Sequence, residues 1–252
     1  YKDYPNSSTF SHNNGDVENE RYTEGIYVGY RYFDSFNVKP AFPFGFGLSY
    51  TDFEISDVKV SVSSGEITVE SKVTNVGNKY SGREVVQVYA ACPQTGIKKE
   101  FKRLVGFKKT RELKPGESEA LKVAISSKAL ASFDEEKSHW ILENGEYGIF
   151  VGNSSDKAEI AGIISVKEDY VIEKVEHILP LQEKLEEMVR PDSVISELTK
   201  KWKEDAESKE IKAISFVPAK EERAKKGRTD LDLISKELAA KLTDEELTAL
   251  LM

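Results

Sequence analysis

Residues 53–78 read FEISDVKVSVSSGEITVESKVTNVGN, and this stretch decides the fold class. Phe53, Ile55, Val58, Val60 and Val62 fall mostly at every second position with polar residues between them, which puts them on one face of an extended chain. Ser63-Ser64-Gly65 then supplies a turn, and Ile67, Val69 and Val73 resume the alternation as far as a second turn signal at Asn75-Val76-Gly77-Asn78. Two half-buried strands joined by a short reversal are predicted. Working outward, the same texture recurs at 84–91, 100–109, 118–125, 139–142, 145–151 and 159–166. Lys114-Pro115-Gly116-Glu117, Asn144-Gly145 and Gly152-Asn153 mark reversals between these runs. Strands this short, about a dozen residues apart, predict an antiparallel β-sandwich over residues 51–167. Cys92 is the single cysteine, so no internal disulfide staples the sandwich and the apolar faces between its sheets must hold it.

Composition narrows the function classes. The chain has 252 residues, 39% of them hydrophobic, which is enough for one large or two modest domains. Its net charge of -8 argues against nucleic acid or an anionic membrane surface as the main partner. No apolar run approaches the roughly 20 residues that span a bilayer, so no membrane partner is expected. A lone cysteine fits a reducing compartment, and a cytoplasmic location is the expectation. His12, His139 and His177 are scattered and no second thiol accompanies Cys92. No metal site, no cofactor and no Cys/His nucleophile is therefore expected. Tyr1 opens the chain and an apolar stretch reaches Met252, so the sequence reads as a portion of a longer polypeptide.

The flanks of the sandwich differ sharply. Residues 1–24 are polar with turn signals and read as an irregular surface segment. From Glu24 to Tyr50 the chain is rich in rings and glycines: Tyr27, Tyr30, Tyr32, Phe33, Phe36, Phe42, Phe44, Phe46 and Tyr50 are interspersed with Gly25, Gly29, Gly45 and Gly47. Each ring is worth about 2 kcal/mol when fully buried, so the segment is expected to pack against something. Gly25 and Gly29 would let Tyr27 and Tyr30 approach a neighbouring backbone. Glu24 and Arg31 are of opposite sign and are expected to pair, while Gly45 and Gly47 free the backbone for positive φ at a connector between domains. After Val166 the composition turns to Glu, Lys and Leu. Leu179, Leu181, Leu185, Met188 and Val189, then Val194, Ile195, Leu198 and Trp202, predict amphipathic helices broken at Pro180 and Pro191. Residues 203–230 are strongly charged, interrupted by Ile211 to Val217 and Pro218, and are expected to form an extended connector. Thr243 and Glu246 form a capping box that opens a final helix.

The carboxylates, the histidines and the glycines offer no recognisable catalytic constellation in the sequence. Asp134-Glu135-Glu136 reads as a solvated turn rather than a glycosidase pair. Trp140, alternating with Ile141, reads as a ring at the edge of the core rather than a sugar platform, and the glycines of 25–47 have no Lys-Ser/Thr to make a phosphate loop. The run 220–228 interleaves basic residues with Glu221 and Glu222 and reads as a solvated linker.

Two segments carry more specific information: Tyr22-Thr23-Glu24-Gly25-Ile26-Tyr27-Val28-Gly29-Tyr30-Arg31-Tyr32-Phe33-Asp34 and Phe42-Pro43-Phe44-Gly45-Phe46-Gly47-Leu48-Ser49-Tyr50-Thr51. With the β-pattern downstream, they resemble the C-terminal part of glycoside hydrolase family 3, the β-glucosidases and related enzymes, over about residues 1–167. The resemblance implies that 1–50 is the tail of an α/β sandwich domain and its connector, and that 51–167 is a fibronectin type III-like (immunoglobulin-like) sandwich. It implies a parent enzyme that hydrolyses a β-linked gluco-oligosaccharide or β-glucoside with retention, through an Asp nucleophile and a Glu acid/base held about 5–5.5 Å apart. Neither carboxylate is recognisable, so no catalytic residue is carried over. Glu24, Gly25, Gly29, Tyr30, Arg31, Phe44, Gly45, Gly47 and Tyr50 are instead assigned to packing between domains of one polypeptide. Residues 168–252 are expected to form a helical linker, and 241–251 is similar to the helix that opens the family's barrel. This fits rearranged members in which the barrel comes last. The competing reading is a stand-alone β-sandwich module that binds carbohydrate or protein, with Trp140 at its contact face.

Overall fold

The computed structural model describes residues 21–176 and 185–219. His12, His177, Leu179, Leu181, the linker 220–228 and the capping box at Thr243 and Glu246 lie outside them. The alternation that opens the sequence folds into β1 (Phe53–Ser63) and β2 (Glu66–Asn75), antiparallel with Val60 opposite Val69 and Val62 opposite Ile67. The reversal is tight because Ser64 and Gly65 both take positive φ. β5 (Ser118–Ile125) pairs with β2 and completes a three-stranded sheet in the order β1-β2-β5.

The facing sheet has five strands in the order β11-β9-β8-β3-β4. Its members are β3 (Val85–Ala91), β4 (Lys102–Lys109), β8 (Gly145–Gly152), β9 (Glu159–Val166) and β11 (Ala213–Phe216). A third small sheet, β10-β7-β6, joins β6 (Ser132–Asp134), β7 (His139–Leu142) and β10 (Tyr170–Lys174). The fold is mostly β, with antiparallel pairing everywhere except between β11 and β9, which run parallel. Helices α1 (Tyr30–Ser35), α2 (Ser127–Leu130) and α3 (Asp192–Ser208) complete the described elements.

Between the two larger sheets lies one core. Val60, Ile67, Val69 and Val73 meet Val86, Val88, Ile149, Val151 and Ile164, all buried, which is the outcome expected when alternate residues of both sheets face inward. The five-stranded sheet also buries its outer face. Tyr89, Ala91, Phe150, Ile160 and Ile163 point away from the sandwich and are covered by Ile195, Trp202 and Ala206 of α3. This explains why β3, VVQVYAA, is buried along almost its whole length and apolar at every position but Gln87, since both of its faces are out of water.

Asn75, read from sequence as a turn residue, has a larger part. Its side chain is fully buried and fully used: Oδ1 accepts from Thr51 Oγ1 at 2.6 Å and from the Gly77 amide at 3.1 Å, and Nδ2 donates to the carbonyls of Tyr80 and Leu113. One amide thereby ties three chain segments together, at residues 51, 75–80 and 113, where hydrophobic contact would give no direction.

The chain beyond the sandwich differs from expectation. Residues 185–190 are irregular rather than helical, the helix runs from Asp192 to Ser208, and the stretch expected to be extended connector contributes β11. Phe216 of β11 is buried in the main core, which a surface linker would not achieve. The helical periodicity of 194–202 was correct. Its apolar stripe finds the outer face of a sheet, which is why the chain after Ser208 is held long enough to add a strand.

Candidate functional site

The segment 21–50 lies along one side of the sandwich and has two unlike faces. Toward the sandwich it is fastened by specific groups. Tyr27 is buried edge-on to Phe36 with ring centroids 5.3 Å apart. Tyr30 packs between Phe44 and Tyr89, at 5.0 and 5.8 Å, and its hydroxyl oxygen accepts the Leu104 amide at 2.7 Å. Ser35 Oγ accepts the Phe101 amide at 2.9 Å, and the Phe44 carbonyl accepts the Ser155 amide at 2.8 Å.

Asp34, one residue before the end of α1, faces Lys102 of β4 at 3.6 Å. Lys102 donates to the Ser155 carbonyl and lies over the rings of Tyr89 and Phe150. Burial dominates both groups: it pushes the Asp34 carboxyl up to about 6, against the pull of Lys102, and lowers the Lys102 ammonium. The pair is a directional fastener at a net desolvation cost, not a large source of stability.

Away from the sandwich the same segment is bare. Leu48 is 95% exposed, Tyr50 91% and Phe42 72%, and Phe44 and Phe46 of the same stretch are exposed as well. A contiguous run of large apolar side chains is the mark of a contact surface rather than of an ordinary exterior.

The sequence-assigned residues divide accordingly. Tyr30 and Phe44 touch the sandwich, and Tyr50 points into solvent with its ring 6.0 Å from Tyr80. Gly45 sits at φ 90°, and a Cβ there would lie 2.3 Å from Gln87 Nε2 and 2.8 Å from the Asn153 carbonyl, so only glycine fits. Gly47 takes no positive φ and has open space around it, contrary to the expectation for that position. Gly25 and Gly29 both take positive φ. Glu24 and Arg31 do not pair: Arg31 Nε reaches Glu100 at 3.7 Å, while Glu24 is buried with Oε2 outside any hydrogen bond. Register explains the miss, since Arg31 sits on α1 and faces the β3–β4 loop, where Glu100 is held by Arg103 at 2.9 Å.

None of the carboxylates weighed for catalysis forms a reacting pair. Asp134 accepts the Lys137 amide and meets its ammonium at 3.1 Å, closing the β6–β7 turn. Trp140 is half-buried against Phe133 at 5.4 Å, with Lys128 Nζ 5.9 Å from its ring centre, a packed edge position. Lys99 and Glu143 form a buried ion pair inside the loop 96–100, where Glu143 also accepts the Ile97 amide. Burial pushes the Cys92 thiol up to about 11, which makes it inert. Among the described residues no three His, Cys, Asp or Glu side chains stand together as a metal site, and no helix is long and apolar enough to cross a membrane. What the arrangement offers is a fastened, ring-bearing surface.

The sandwich that carries this surface defines a class. Residues 84–155 match the fibronectin type III-like domain family. Over a wider span the chain is similar to a β-glucosidase of Kluyveromyces marxianus, 45% identical over 156 residues, which is 61% of this chain and 17% of that one. It is similar to β-glucosidase A of Butyrivibrio fibrisolvens, 33% identical over an alignment that takes in 99% of this chain and 35% of that one. The solved structure of β-glucosidase 3B from Thermotoga neapolitana in complex with glycerol superposes with a TM-score of 0.63 at 42% identity, covering 68% of this chain and 23% of that one. The chain is a homologue of the glycoside hydrolase family 3 β-glucosidases and carries their fibronectin type III-like domain. It spans about a fifth to a third of the length of the curated relatives it matches.

Proposed function

We propose that this chain is a non-catalytic portion of a retaining β-glucosidase-like hydrolase. Its sandwich buttresses the catalytic domains, and the exposed rings of 42–50 are the seam against them. The observation that carries this reading is the asymmetry of the segment: one face is pinned to the sandwich by Tyr30, Asp34, Ser35 and Phe44, while Phe42, Phe46, Leu48 and Tyr50 stand in water. Exposing that much apolar surface costs several kcal/mol unless a further protein surface covers it. The alignment along nearly the whole chain with the Butyrivibrio enzyme supports residues 168–252 leading onward to a barrel domain that supplies the nucleophile. The substrate of the parent is then a β-glucoside or β-linked gluco-oligosaccharide.

Two measurements test the proposal. Purified residues 1–252 are expected to show no turnover of an aryl β-glucoside. In the complete polypeptide, Leu48→Asp is expected to lower both the melting temperature and kcat, while the same substitution in residues 1–252 leaves melting unchanged. Equal behaviour of Leu48→Asp in the two contexts would refute the seam.

A further inference from the structure

The chain that leaves the sandwich returns to touch the segment that enters it. The Met188 amide donates to the Thr23 carbonyl at 2.6 Å. Glu187 stands so close to Gly25 that a Cβ on the glycine would meet its Oε2 at 3.3 Å. Arg190 is 5% exposed, a depth that an arginine reaches only when its guanidinium is paired. Its Nε donates to the Lys99 carbonyl at 2.9 Å, one terminal nitrogen to Gln94 Oε1 at 2.7 Å, and the other to Asp192 Oδ1 at 2.7 Å. Tyr27, the buried ring of the incoming segment, lies within the electrostatic reach of the same guanidinium.

We propose that residues 187–192 are a buckle, centred on Arg190, that clasps the incoming segment 23–27 onto the sandwich and couples the conformation of that segment to the strap formed by α3 and β11. The guanidinium does this where an apolar side chain would not, because its planar fork reaches a backbone carbonyl and a side-chain amide of the β3–β4 loop at fixed angles. The strap behind it is anchored independently, by Trp202 on one face of the five-stranded sheet and by Phe216 in the core. Pull on the strap is therefore transmitted to Thr23 and Gly25 through residues 187–190. The buckle is a property of this chain alone and stands whether or not the seam meets a catalytic domain.

Coupling of this kind must act in both directions. Hydrogen–deuterium exchange on the 252-residue chain reads it. Arg190→Met keeps the stem and deletes the three bonds, and is expected to speed exchange of the Tyr27 and Val28 amides at least about tenfold, with residues 85–91 and 145–152 unchanged. Gly25→Ala, strained at φ 54° and pressed on Glu187, is expected to speed exchange of the Met188 and Ile195 amides on the far partner. Arg190→Lys keeps the charge but not the fork and gives an intermediate effect, which holds the test open should the methionine variant fail to fold. Protection of 24–36 unmoved by the Arg190 substitutions would overturn the proposal. So would an equal acceleration of 85–91, which makes Arg190 an ordinary part of one cooperative core, or a Gly25→Ala effect confined to its own segment.

Discussion

Replacing Trp202 by alanine separates a linker from an integral element. Trp202 is 4% exposed on α3, with its ring edge-on to Phe150 at 6.4 Å and close over Gly148. A buried aromatic of this size removes about 150–250 Å² from water, worth roughly 4–6 kcal/mol at 25 cal/mol per Å², and tryptophan-to-alanine changes in cores cost about 3–5 kcal/mol. For a folding unit of this size each kcal/mol moves the melting temperature by about 2–4 °C, so a drop of roughly 6–20 °C is expected. Circular dichroism is the assay, since the variant keeps Trp140 as its only indole. A charged helix tethered outside the domain would lose no more than about 0.5 kcal/mol. A shift below about 2 °C would therefore refute the packing argument, and so would a separate early transition belonging to the strap alone.

Three further outcomes follow from single sites. Asp34 holds its proton more tightly folded, near pH 6, than unfolded, so its contribution to stability is full below about pH 4 and is lost as pH rises through 6. The melting advantage of the native chain over Asp34→Asn should shrink between pH 4.5 and 7, and an advantage that grows with pH would mean that Lys102 outweighs desolvation. Asn75→Ala deletes four side-chain hydrogen bonds at a buried position, among them the acceptor of the buried Thr51 hydroxyl, and should cost about 3 kcal/mol in urea denaturation. Gly45→Ala, at positive φ and against Gln87, should cost about 1–3 kcal/mol, whereas Gly47→Ala, with open space, should cost under about 0.5 kcal/mol.

Legibility in the sequence followed the range of the interactions. The runs 118–125 and 159–166 coincide with β5 and β9 because alternation is a local property written every second residue. β6, β10 and β11 are three to five residues long and escaped, since so few positions carry no period. At the candidate surface, the ring-rich segment was visible as a whole. Its division into a pinned face and a bare face was not, because Asp34 meets Lys102, and Arg190 meets Gln94 and Lys99, across spans that no spacing rule relates.

By itself the sequence determined a mostly β domain, a ring-bearing segment ahead of it and a kinship with family 3 β-glucosidases, since alternation, turn residues and compact motifs all act within a few residues of each other. Only the tertiary structure decided that the chain beyond Val166 comes back to sheathe the five-stranded sheet and to clasp the segment that precedes the sandwich. The helical stripe of 194–202 announces a need for an apolar partner, and which surface meets that need is settled when Tyr89, Phe150 and Ile163 have been brought side by side from strands far apart in the chain.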